Sequence, residues 1–290
     1  MNLPRPLVST QWLEDNLGST NLIIFDTSVF LTSNEGGGYI PTSGRDDFNA
    51  SHIPGAQFID LVKELSCPNT DIPFTMPSAE SLGDILKSYG VSDDSMTVLY
   101  NNGIPMWSTR AWWMFRSIGL ENISVLDGGW QKWSAENRPV SNESIKPEAA
   151  TSLTINADPS FWANKEIMLE NIDTEMACTI NALSPEVFSG DKNQYGRPGH
   201  IPGSHNIFYG DLIDDSDGTF VAADKVREKF EQAGALGDKP VIAYCGGGIS
   251  ATMDAMMLFQ LGKMDVAVYD GSMSEWIRDP DLPLKLGAAP

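Results

Sequence analysis

The strongest constraint on this 290-residue chain is that it contains itself twice. "ASHIPGAQFIDL" at 50–61 returns as "PGHIPGSHNIFYGDL" at 198–212. "TVLYNNG" at 97–103 returns as "VIAYCGGG" at 241–248, and "VLDGGWQKW" at 125–133 as "VYDGSMSEW" at 268–276. The offsets of 148, 144 and 143 residues are nearly constant over three separated motifs, which chance does not produce. Each copy has the length of one domain. The polar, proline-containing stretch "SAENRPVSNESIKPEAATS" at 134–152 reads as the connection. The organisation expected is therefore a first domain over 1–138, a linker over 139–156 and a second domain over 157–290.

Within each copy, short apolar runs alternate with segments of helical spacing. "NLIIFD" at 21–26, "TVLY" at 97–100 and "ISVLDG" at 123–128 read as strands of the first copy. Between and around them, "SAESLGDILKSYG" at 78–90 reads as a helix capped by Ser78 and stopped by Gly90, and "STRAWWMFRSIG" at 108–119 as a second helix. The second copy follows with strand "VIAY", helix "SATMDAMMLFQLG" at 250–262 and strand "DVAVYDG" at 265–271. The Met-rich part of that helix reads as core. Such alternation predicts an α/β fold: two tandem domains, each a mainly parallel sheet flanked by helices. Ligands of such sheets bind beyond the carboxyl ends of the strands.

Charge narrows the partners. The 39 acidic against 19 basic residues give a net charge of −20, which argues against nucleic acid and anionic membranes and favours a monomer. The three cysteines, Cys67, Cys178 and Cys245, are too few for a disulfide framework and fit a reducing cytoplasm. The opening "MNLPRPLVSTQWLEDN" has no apolar run behind Arg5 and does not read as a signal peptide. The His and Cys spacings match no zinc pattern, so neither metal nor cofactor is expected.

One of these cysteines stands apart. Cys245 ends a strand and is followed by Gly246, Gly247 and Gly248, then Ile249, Ser250 and Ala251 at a helix start. Glycines let successive amides turn inward as an anion-binding nest, and the helix N-terminus adds partial positive charge. Both favour a thiolate, the nucleophilic form, and would hold a persulfide formed on it. In the first copy the same position is Asn101, which cannot attack sulfur. Cys67 and Cys178 have no such surroundings and read as inert.

The paired "HIPG", the loop "CGGGISA", the terminal "DGSMSEW" and the first-copy "STRAWWMFRSIG…VLDGGWQKW" together resemble the two-domain rhodanese family of sulfurtransferases. The resemblance implies that Cys245 takes sulfane sulfur from a small anionic donor, thiosulfate or 3-mercaptopyruvate, and passes it to a thiol or cyanide. The loop Gly246–Ala251 would bind the donor. Cysteine phosphatases with a related loop carry an arginine where this chain has Ala251, and no Arg or Lys occurs from Val241 to Gln260. The thiosulfate branch of the family has cations at Gly246 and Gly247. The mercaptopyruvate branch has a serine at Gly247, working with a histidine and an aspartate whose nearest matches here are Phe74 and Val62. An arginine expected early in the second domain is replaced by Leu183.

That leaves Arg197, in "YGRPGHIPG", as the candidate cation for the donor. Arg45 and Arg110 read as partners of neighbouring acids. His52 and His200, Asp127 and Asp270, and Trp133 and Trp276 recur in both copies and so read as structural. Met273 stands where the first copy has Trp130, so this position is not fixed by the fold and is a candidate for the cleft. Two functions follow: a sulfurtransferase working through a Cys245 persulfide, or a non-enzymatic module of the same fold that binds a partner or senses redox state.

Overall fold

Two five-stranded sheets follow one plan in the computed structural model, which describes residues 6–33 and 39–290; residues 1–5, with Arg5, and 34–38 lie outside it. The first half supplies β1 (Leu7–Val8), β2 (Leu22–Asp26), β3 (Val29–Ser33), β4 (Tyr39–Ser43), β5 (Ala56–Phe58), β6 (Met96–Tyr100) and β7 (Ile123–Leu126). The second supplies β8 (Trp162–Ala163), β9 (Cys178–Asn181), β10 (Ser204–Asn206), β11 (Val241–Tyr244) and β12 (Val266–Tyr269). The sheet orders are β1-β7-β6-β2-β5 and β8-β12-β11-β9-β10, the same arrangement twice. Every pairing within them is parallel. Strands β6 and β11 are buried along their whole length, as unbroken apolar runs require when helices cover both faces. The hairpin β3–β4 is antiparallel and has no counterpart among the strands of the second half.

The expected helices form. Ser78 Oγ accepts the Ser81 N–H at 3.2 Å to start the helix Ala79–Ser88, and Gly90 ends it at φ +87. The next first-half helix begins two residues earlier than its apolar spacing suggested, as Met106–Ser117 behind Pro105. Residues 142–158 form no regular element, yet they are strapped to the first half. Ala150 donates to the Lys87 carbonyl at 2.8 Å and Asn156 to that of Ile118 at 2.9 Å.

The repeated residues stabilise turns in both halves. His52 and His200 each stack on a phenylalanine, Phe48 or Phe188, at 4.0 and 3.7 Å, and bond through Nδ1 to its carbonyl. Burial holds the His200 imidazole below its ordinary pKa, consistent with a neutral ring serving the turn. Trp133 and Trp276 donate their indole N–H to the carbonyls of Pro139 and Pro283 at 2.8 and 2.9 Å.

The halves meet through equivalent helices of the repeat. Helices Met106–Ser117 and Ala251–Gln260 pack together, with Thr109 Oγ1 and Thr252 Oγ1 at 2.8 Å and the Trp112 and Phe259 rings edge to face at 5.6 Å. One hydrophobic cluster runs through both halves. Two reciprocal bonds flank it: Met76 N–H to Asp270 Oδ2 at 2.9 Å, and Phe220 N–H to Asp127 Oδ1 at 2.8 Å. The recurring aspartates are thus structural, and the structure they serve is the junction between halves.

Of these two aspartates, only Asp270 pairs with an arginine among the described residues. Arg110 is fully buried and pairs with Asp270 at 2.6 Å. It also donates to the carbonyls of Phe74 at 2.7 Å and Gly248 at 3.2 Å, and lies over the Trp162 ring. Its acid is therefore across the junction rather than a sequence neighbour, whereas Arg45 has the nearer Glu64 at 3.5 Å. Removing one partner of a buried pair strands the other charge. Arg110→Ala is expected to cost roughly 3–5 kcal/mol in urea denaturation, while Arg45→Ala, from an exposed pair, costs under about 1 kcal/mol. Equal costs would show that the buried pair does not hold the halves together.

Candidate active site

Strand β11 delivers Cys245 to its carboxyl end, at the floor of a cleft of about 460 Å³ between the halves. The loop after it is tied down from behind. Ser272 Oγ accepts the N–H groups of Cys245 at 3.1 Å and Gly248 at 3.0 Å and donates to the Tyr269 carbonyl at 2.7 Å. Met273 N–H reaches the Cys245 carbonyl at 3.1 Å; Ser274 holds that of Gly246 through its N–H at 2.8 Å and its hydroxyl at 2.7 Å. Among the described residues, the N–H groups of Gly246, Gly247, Ile249 and Ser250 meet no protein acceptor. They stand beside a buried thiol at the start of the helix Ala251–Gln260, where an anion finds both donors and dipole.

The three glycines differ in why they are glycine. A Cβ on Gly246 would lie 2.0 Å from the Tyr195 hydroxyl, so a cationic side chain there would displace that ring. Gly248, at φ +70, has the Asp270 carbonyl 2.6 Å from a Cβ position. Gly247 has room: its nearest neighbours are Ser274 Oγ at 3.7 Å and the Phe74 ring at 3.9 Å.

Several sequence expectations are corrected by the geometry. Arg197 does not reach the cleft. Its guanidinium donates to the carbonyls of Asp279 at 2.6 Å and Leu282 at 2.7 Å and so fastens the C-terminal segment. The same loop brings Tyr195 to the cleft instead. Burial first, then the Cys245 thiol beside it, push that phenol above its ordinary pKa, so it stays a neutral O–H. Gly246, Gly247, Ile249 and Ser250 line the cleft, but Gly248 and Ala251 do not; Gly248 turns its carbonyl to Arg110. Met273 is buried in the core, and its neighbour Ser274 lines the cleft.

Sequence reasoning missed Ser272, Ser274 and Tyr195. Ser272 had a signal: it sits at φ +48 where the first copy has Gly129 at φ +51, a glycine position carrying a side chain. Phe74 and Leu183 do line the cleft, so two positions where the resemblance implies polar side chains are apolar walls. Cys178 donates its thiol to the Ala233 carbonyl at 3.1 Å, and burial raises its pKa, as befits an inert cysteine.

The equivalent loop of the first copy is built differently. Asn101 is buried and fills the loop with its own amide. Its Oδ1 accepts the Ser108 hydroxyl at 2.8 Å, and its Nδ2 donates to the Ile104 carbonyl at 2.9 Å.

The family model for the rhodanese-like domain matches residues 9–136 and 189–279. The chain belongs to the rhodanese family. Its relatives include a 3-mercaptopyruvate sulfurtransferase of Rattus norvegicus, 34% identical over 94% of this chain and 92% of that one. A thiosulfate sulfurtransferase of Mus musculus is 32% identical over 95% and 93%. Among solved rhodanese structures, a 3-mercaptopyruvate sulfotransferase from Escherichia coli superposes with TM-score 0.81 at 26% identity, covering 92% of this chain and 98% of that one. An ergothioneine biosynthesis enzyme from Chlorobium limicola shares the fold, at TM-score 0.83 and 21% identity over 98% and 70%. This rhodanese is a sulfurtransferase of the thiosulfate/3-mercaptopyruvate type. No helix among its described residues is long and apolar enough to cross a membrane. One Arabidopsis thaliana relative is named mitochondrial, so family membership alone does not give the compartment.

The glycine loop yields a graded expectation. Gly247→Ala should melt within about 2 °C of wild type, while Gly248→Ala, strained and obstructed, should melt roughly 4 °C or more lower. Calorimetry on both decides, and an unshifted Gly248→Ala would remove the steric account of the loop.

Proposed function

We propose that Cys245 is the sulfur carrier, and that the free N–H groups of Gly246, Gly247, Ile249 and Ser250 hold the anionic persulfide. With thiosulfate, the Cys245 thiolate attacks the sulfane sulfur, the S–S bond breaks and sulfite leaves with its electron pair. With 3-mercaptopyruvate, the C–S bond breaks and the pair goes to carbon as the pyruvate enolate. A thiol or cyanide then takes the outer sulfur and restores the thiolate. The supporting observation is the pairing of one buried thiol with the N–H groups of Gly246, Gly247, Ile249 and Ser250, which meet no acceptor among the described residues, at a helix start.

The cleft favours 3-mercaptopyruvate over thiosulfate. Lys192 is the single charged side chain among the described residues that line it. A dianion must be desolvated there with little compensation, in a protein of net charge −20, whereas one carboxylate asks less. The three free cysteines fit a reducing cytoplasm, and the strong negative charge fits a monomer acting on small molecules.

The non-enzymatic reading draws on the apolar Phe74 and Leu183 walls. Mass spectrometry separates the two. After incubation with 3-mercaptopyruvate, one added sulfur is expected on Cys245, absent in a folded Cys245→Ser and retained in Cys67→Ser and Cys178→Ser. Sulfur transfer near wild-type rate in Cys245→Ser would remove the assignment. An unmodified wild-type Cys245 with either donor would leave the binding module.

A further inference from the structure

Tyr195 brings to the Cys245 loop a hydroxyl whose proton has no partner in the protein. Its ring points into the loop end-on. From a Cβ position on Gly246, the phenol oxygen lies at 2.0 Å, Cζ at 2.7 Å and Cε1 at 3.1 Å. A side chain on Gly246 would therefore occupy the place of this oxygen. Gln194 Nε2 donates to the oxygen at 3.2 Å and fills one of its lone pairs. The O–H proton itself meets no acceptor among the described residues. Burial first, and then Cys245, keep the phenol protonated, so it faces the thiol as a donor.

The surrounding chain holds that oxygen in place. Arg197, two residues on, is fastened to the carbonyls of Asp279 and Leu282. Between them Gly196 turns at φ +95 and donates its N–H to Asn193 Oδ1 at 2.9 Å. Arg197 is thus the anchor of the segment that presents Tyr195. The fold itself does not require the phenol. The offset of 148 residues puts Asp47 at this place in the first copy, whose loop carries Asn101 instead of a cysteine.

Resting on the persulfide reading of Cys245, we propose that Tyr195 is a further catalytic residue, whose O–H donates to the Cys245 sulfur whenever that sulfur carries charge. The amides of Gly246, Gly247, Ile249 and Ser250 then serve the outer sulfur of the persulfide, and the phenol serves the inner one. The two half-reactions feel this donor differently. In loading, the thiolate is the reactant and its charge moves away to the leaving group, so a donor at Cys245 gives no acceleration. In discharge, cyanide attacks the outer sulfur and the persulfide S–S bond breaks. Thiocyanate leaves, and the electron pair of that bond returns to the Cys245 sulfur, with no oxidant or reductant consumed. Charge then grows beside Tyr195, and a hydrogen bond to a charged acceptor is stronger than one to a neutral acceptor.

Single-turnover kinetics on the full chain separate the two half-reactions. Cys245 is loaded from 3-mercaptopyruvate and then discharged to cyanide, with the added sulfur followed by mass spectrometry. Each rate is taken where further base no longer raises it. Tyr195→Phe, which keeps the ring, is expected to slow discharge about tenfold or more and to leave loading within about twofold. Gln194→Leu, which releases the phenol from its fixed orientation, is expected to lower the ratio of discharge to loading by about threefold. Discharge unchanged in Tyr195→Phe, or loading and discharge slowed equally, would overturn this inference alone; equal slowing would make Tyr195 a wall of the cleft. Wild-type protein that never carries sulfur on Cys245 would overturn the persulfide reading and this inference with it.

Discussion

Much of this structure hangs on one buried cation. Arg110 carries a full charge into the junction between the halves, where solvent does not reach it. Such a charge is tolerable only when matched, and Asp270 matches it at 2.6 Å. The remaining hydrogen-bonding capacity of the guanidinium then dictates what surrounds it. One carbonyl it holds belongs to Gly248, inside the Cys245 loop; another belongs to Phe74, on the opposite wall of the cleft. Phe74 is at φ +62, a conformation uncommon for a side-chain-bearing residue, and the bond to Arg110 helps hold it there. A single side chain of the first half thus fixes both the loop of the second half and the aromatic surface facing it.

The duplication explains why this happens once. Asp127 and Asp270 each accept a backbone N–H from the other half. On the Asp127 side, however, the residue equivalent to Arg110 is Met253, which is simply buried. The same side has Asn101 in place of the cysteine, its amide filling its own loop. The side that has no cysteine in its loop is therefore also the side where Met253 stands in place of an arginine. One loop is filled by its own Asn101 amide, and the other has N–H groups that meet no acceptor among the described residues.

The domain plan is legible in the repeat, because a motif set recurring at one offset leaves few other architectures. Strands and helices were legible for the usual reason: buried parallel strands read as apolar runs, and capped helices begin at residues such as Ser78. Cys245 was legible because glycines after a strand have little else to do. The cleft walls were harder to see. Arg197 and Tyr195 are two residues apart, and charge drew attention to Arg197. The chain direction in that loop sends the guanidinium to the carbonyls of Asp279 and Leu282 and the phenol to Gly246. Nothing local in the sequence marks which of two neighbours faces inward. The hairpin and the junction bonds were hidden similarly, since their partners lie far along the chain.

These constraints converge on the amides around Cys245: the loop is shaped from behind by Ser272, Ser274 and Arg110, and the N–H groups of Gly246, Gly247, Ile249 and Ser250, which meet no acceptor among the described residues, are the ones proposed to hold a negatively charged sulfur. Amide hydrogen exchange, followed by NMR on the free enzyme and after loading with sulfur, reads those groups directly. The account predicts that exchange slows at Gly246, Gly247, Ile249 and Ser250 on loading, and that the donor has no such effect in Cys245→Ser. Unchanged exchange at all four in a protein shown to carry the persulfide would contradict it.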